Sequence, residues 1–119
     1  MALGGPTQRA AIPLLQEDLR IIVARIVEAV RPERIVLFGS AAGGTFGPDS
    51  DLDLLVIKRG NYSHIQVTQE LYRALRHIGY AKDIIVVTPE EAERYKDSSC
   101  LVLYPALREG KVIYDREAV

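Results

Sequence analysis

Asp51 and Asp53 stand one residue apart at the head of an apolar run, Asp51-Leu52-Asp53-Leu54-Leu55-Val56-Ile57, and Asp83 opens a second run, Asp83-Ile84-Ile85-Val86-Val87. Side chains alternate faces along a strand, so Asp51 and Asp53 project to one side while Leu52 and Leu54 project to the other. Two like charges this close repel each other, and an apolar neighbourhood strips water from both. A bound divalent cation relieves both costs. Magnesium suits the role, because it prefers oxygen ligands, is held by one or two carboxylates and fills the remainder with substrate phosphates. A third carboxylate from a neighbouring strand extends the set to two cations, one activating an attacking hydroxyl and one on a triphosphate.

Upstream, Gly39-Ser40 follows the short apolar run Arg34-Ile35-Val36-Leu37-Phe38. A glycine at a strand end lets the backbone approach a ligand closely, and backbone N–H groups that open a helix after it make a seat for phosphate. The serine hydroxyl can add a hydrogen bond to a phosphate oxygen. Taken singly, each feature has an ordinary explanation: a solvated strand edge for Asp-x-Asp, a turn for Gly-Ser, a strand end for Asp83. Their joint occurrence is what points to chemistry.

The elements that must position these residues are legible from periodicity and punctuation. Leu15, Leu19, Ile22, Ile26 and Val30 recur at helical spacing, and Pro32 stops that helix. Strands are expected over 34–38 and about 51–57, joined by a glycine-bearing loop over 39–50. Val67, Leu71, Ala74, Leu75 and Ile78 line a second helix, with Asn61 or Ser63 as its N-cap and Gly79 as its C-terminal cap. A third strand follows over 83–87. Thr88-Pro89-Glu90-Glu91 then has the cap, proline and early acids of a helix start. A short helix over 101–107 and a last strand over 111–114 complete an α/β (α+β) fold on a small sheet.

At 119 residues the chain holds one domain's worth of sequence, expected over 14–119 behind a loose, flexible leader at 1–13. Fifteen basic residues against sixteen acidic ones leave a net charge of −1, which carries no footprint of duplex nucleic-acid binding. The apolar runs are too short to span a membrane, and the one cysteine, Cys100, cannot form an internal disulfide. A cytoplasmic location is the expectation. His64 and His77 lack partners at zinc-ligand spacing, Cys100 lacks an evident histidine, and the scattered tyrosines suit packing better than base stacking. Glu90, Glu91 and Glu93 suit a solvated helix start.

Gly39-Ser40, ten intervening residues and then Asp51-Leu52-Asp53 is similar to the motif of the minimal nucleotidyltransferases, the smallest members of the DNA polymerase β-like superfamily. The resemblance runs from about residue 35 to 87, and Leu107-Arg108-Glu109-Gly110-Lys111-Val112-Ile113-Tyr114 resembles the family's C-terminal segment. It implies a mixed sheet flanked by helices, with Asp51, Asp53 and Asp83 as catalytic magnesium ligands and Gly39 and Ser40 on the β- and γ-phosphates of a nucleoside triphosphate. The implied reaction moves a nucleoside monophosphate, AMP from ATP, onto a hydroxyl and releases pyrophosphate. Many relatives pair with a HEPN-domain toxin and act as antitoxins by adenylylating a tyrosine of that partner. The alternative is an interaction module of the same fold that neutralises its partner by binding alone. Self-association into a homo-oligomer stays open. The pattern departs at Gly43, where relatives often carry an arginine, and Arg59 and Lys82 are the cations that could stand in for it.

Overall fold

The computed structural model describes residues 16–39, 51–95 and 110–118. The expected leader (1–13), most of the glycine loop including Ser40 and Gly43, Cys100 and the expected helix at 101–107 lie outside these residues.

Helix α1, Gln16–Val30, opens with Glu17 and Asp18 in its first turn, where acidic groups oppose the positive end of the helix dipole. Ile22, Ile26 and Val30 are buried, which is the stripe that the periodicity marks. Arg31 takes a left-handed φ of 51°, and Pro32 forbids continuation. Lys58 closes this end from across the chain, donating from Nζ to the Val30 carbonyl at 2.8 Å.

Strands β1 (Arg34–Phe38), β2 (Leu52–Ile57), β3 (Lys82–Val87) and β4 (Lys111–Asp115) form one sheet in the order β3-β2-β1-β4. β1 is antiparallel to both β2 and β4, while β2 and β3 run parallel. A parallel pair needs a crossover, and helix α2 (His64–Ala74) supplies it. Ser63, the second of the two N-cap candidates, accepts from the Gln66 backbone N–H. Leu52, Leu54, Val56, Ile84 and Val86 face α1 and α2 and join them in the main core. Val36, Leu55, Ile57 and Val87 form the opposite face, against Ala92 of helix α3 (Pro89–Tyr95). Among the described residues the fold is thus a mixed sheet with helices on both faces.

α2 is shorter than Gly79 suggests. It ends at Ala74, after which Arg76 and Ile78 donate to the carbonyls of Arg73 and Leu75 in tighter turns. Leu75 and Ile78 continue the apolar period because both still meet the core, although the backbone has left the helix.

The start of α3 is a reciprocal capping box: the Glu91 N–H donates to Thr88 Oγ1 at 3.0 Å, and the Thr88 N–H donates to Glu91 Oε1 at 2.8 Å. Glu91 also meets His64 Nε2 at 3.0 Å, tying the first turns of α2 and α3 together. Those contacts hold the Glu91 carboxyl below its usual range, the Thr88 N–H foremost. Thr88→Ala is expected to cost about 1 kcal/mol, lowering Tm by about 4 °C in a thermal melt.

Candidate active site

The register of the sheet decides where the acids fall. Asp53 pairs with Phe38 across the antiparallel side and with Asp83 across the parallel side. Neighbouring strands lie about 4.8 Å apart, so the Asp53 and Asp83 side chains rise side by side from one face. That face is the one carrying Leu55, Ile57 and Val87, away from α1 and α2. Asp51 precedes β2 by one residue and has the same parity. Asp53 is half-buried, while Asp51 and Asp83 are exposed.

The electrostatics agree with this placement. The Asp53 carboxyl is pushed above its ordinary range, first by loss of water and then by the charges of Asp83 and Asp51. Among the described residues no cation or hydrogen-bond donor is paired with any of the three. Nor, among the described residues, are three acid, histidine or cysteine side chains already gathered at metal-ligand geometry. Mutual repulsion opposes that closure. As a donor set, carboxylate oxygens carrying excess negative charge on two rigid strands fit a hard divalent cation.

Gly39 closes the site from the β1 side. Its φ of +73° lies in the left-handed region, and a methyl group on its Cα would overlap the Asp53 carboxylate. Glycine therefore serves both backbone and approach at this position. The end of β1, the start of β2 and the start of β3 thus meet in one acidic corner with a glycine wall.

The family model of the nucleotidyltransferase domain matches residues 19–116, from α1 through β4 into the closing turn. The chain belongs to the nucleotidyltransferase domain family. Two solved structures support the fold of this nucleotidyltransferase domain. A Sulfolobus solfataricus protein assigned as a nucleotidyltransferase is 21% identical with a TM-score of 0.59, covering 98% of this chain and 94% of that one. A toxin–antitoxin crystal structure with AMP-PNP is also 21% identical, with a TM-score of 0.58, covering 84% of this chain and 75% of the other. Among curated proteins, none matches.

Neither cation considered as a substitute for the family arginine lies with the acids of this nucleotidyltransferase domain. Lys82 adjoins Asp83 in sequence, but the pleat sends it to the opposite face. There its Nζ donates to the carbonyls of Ile78 at 3.0 Å and Tyr80 at 2.6 Å, and desolvation lowers its pKa. Arg59 lies beyond the far end of β2, roughly 20 Å along the chain from Asp53, with Nε donating to Glu33 Oε2 at 3.3 Å. It lines a separate cleft of about 420 Å³ with Glu33, Arg34, Ile57 and Asp115. Arg116 also reaches Glu33 there, and Arg34 meets Asp115. Among the described residues, then, the acidic corner has no counter-charge of its own.

Proposed function

We propose that this chain transfers a nucleoside monophosphate, AMP from ATP, to a hydroxyl of a partner protein, with Asp51, Asp53 and Asp83 holding magnesium. The observation that carries this reading is the pairing of Asp53 with Asp83 on one face of the sheet, against Gly39. When bound, magnesium ions would neutralise triphosphate charge and make the acceptor hydroxyl a better nucleophile. Asp53 and Asp83 present their oxygens from adjacent hydrogen-bonded strands, so the two ligating groups keep a fixed spacing. Gly39 leaves the β1 end bare of side chain, letting phosphate come close to the backbone, and Ser40 follows with a hydroxyl donor. In the reaction, the acceptor oxygen bonds to the α-phosphorus as the bond to pyrophosphate breaks.

The reading treats 14–119 as a single domain, in keeping with the family match over 19–116. In this reading a second polypeptide brings the acceptor. The toxin–antitoxin neighbour solved with AMP-PNP favours a toxin–antitoxin setting with a nucleoside triphosphate as donor, and the antitoxin role follows from the family resemblance. By resemblance, the acceptor is a tyrosine of a HEPN-type toxin and the setting is the cytoplasm. A second reading, neutralisation by binding alone, draws on Gly43 and on the engagement of Arg59 and Lys82 elsewhere.

The deciding experiment incubates the protein with magnesium, the product of the adjacent gene and ATP labelled on the α- or the γ-phosphate. Transfer of α-label alone to the partner, lost in Asp51→Asn and Asp83→Asn, supports catalysis. Absence of α-label, together with undiminished neutralisation by both variants, would establish the binding reading instead.

A further inference from the structure

β3 is an edge strand: among the described residues it pairs with β2 on one side and has no strand on the other. Its N–H groups on the open side need another acceptor. At Ile84, the residue after Asp83, the acceptor is a side chain. The Ile84 N–H donates to the Tyr72 hydroxyl at 3.0 Å. Tyr72 stands on the flank of α2, 39% exposed, next to Leu71, which is fully buried against the sheet. Buried Leu71 fixes the helix on the core, and the ring of Tyr72 reaches around the edge to the strand.

We infer that Tyr72 is a positioning residue for Asp83, setting the place of that carboxylate beside Asp53 by holding the outer edge of β3. The inference rests on the proposed role of Asp83 in metal binding. Three observations converge on it. Asp83 lies in the second residue of β3, where pairing to β2 extends only as far as Leu52 with Lys82. The Asp53 and Asp83 charges repel, and that repulsion works to splay the starts of β2 and β3. The connection entering β3 is itself tied down: Lys82 holds the carbonyls of Ile78 and Tyr80, Leu52 donates to Ala81 at 2.7 Å, and Tyr80 donates to Asp18 of α1 at 2.6 Å. Tyr72 supplies the one restraint among these that acts on the outer edge, directly after Asp83. Outer partners that orient metal ligands commonly govern affinity by ten-fold or more. A single neutral hydrogen bond acting through the backbone sets a smaller scale, about three- to ten-fold.

The test titrates Mn²⁺ into wild type, Tyr72→Phe, Asp83→Asn and the exposed-site control Ile65→Ala, reading free Mn²⁺ by electron paramagnetic resonance. Amide exchange at Ile84 is followed in parallel. Tyr72→Phe keeps the ring and removes only the hydroxyl acceptor. The expected result is Mn²⁺ binding weakened about three- to ten-fold by Tyr72→Phe, more by Asp83→Asn and not by Ile65→Ala, with faster Ile84 exchange in Tyr72→Phe. Wild-type affinity in Tyr72→Phe, with Asp83→Asn impaired, overturns the positioning role and leaves the metal reading standing. Wild-type affinity in Asp83→Asn overturns the metal reading of Asp83, and the positioning role with it. An Ile84 amide unprotected in wild type refutes the tie directly, with no variant needed.

Discussion

Asp53→Asn is expected to abolish transfer while making the protein slightly more stable, a pair of effects with opposite signs. Ionised Asp53 is half-buried beside two other acids, and its carboxyl pKa lies above the ordinary range. A carboxyl with a raised pKa in the fold binds its proton more tightly than the same group in the unfolded chain. Its contribution to stability is therefore fully present below the usual carboxylate range and lost as pH rises through the elevated value. At neutral pH the charged group is a net cost. Asparagine removes that cost and keeps the shape. Discounted for solvent screening of a partly exposed side chain, the gain is about 0.5 kcal/mol, or about 2 °C in Tm. The gain should vanish at a pH low enough to protonate Asp53 in the fold. Loss of one ligand from a site that supplies several kcal/mol of charge stabilisation should cost about a thousand-fold in rate. Calorimetry at pH 7 and below the usual carboxylate range, at about pH 3, run beside the α-label assay, reads both. A lower Tm at pH 7, or activity within ten-fold of wild type, would make Asp53 a structural acid.

The placement of much of this corner is legible in the sequence, for a physical reason. Each β-branched run carries its own strand signal, and strict two-residue alternation then fixes which face a charge takes. Hence β1, β2, β3 and β4 fall within a residue of their expected bounds, and Asp53 shares a face with Leu55 and Ile57. Sequence does not encode which residue of β2 stands opposite which residue of β3. The Asp53–Asp83 match comes from register across a crossover, set by how α2 packs. The same alternation also misleads when read as simple adjacency: Lys82 neighbours Asp83 in the chain yet holds the carbonyls of Ile78 and Tyr80, in the connection before β3, on the other face. Tyr72 gives no sequence sign of its tie to Ile84, because a tyrosine on the flank of an amphipathic helix reads as packing. Its role depends on β3 being an edge, which is a property of sheet order. The capping box at Thr88 and Glu91, by contrast, is local, so it reads directly.

Gly39→Ala is expected to damage transfer far more than stability, and a second glycine separates the two effects. At φ +73°, an alanine costs about 1–2 kcal/mol of backbone strain. The added methyl also runs into the Asp53 carboxylate. That carboxylate is the far end of a side chain, so it can turn aside at little cost to the fold; backbone strain sets the stability loss. Function has no such escape, because the carboxylate that turns aside is the proposed ligand. A displacement on the order of 1 Å at a reacting centre can cost about a hundred-fold. Gly60 provides the contrast: its φ is also positive, at +114°, but a methyl there meets nothing within 4 Å. Gly60→Ala should thus lose stability from backbone strain while keeping its transfer rate within about three-fold of wild type, since strain alone moves no group at the site. Urea denaturation and the α-label assay on both variants give the comparison. Equal transfer rates in the two would mean that the close approach of Gly39 to Asp53 has no part in the chemistry. A hundred-fold gap at similar stability would tie the acidic corner to the reaction through a contact that the glycine alone permits.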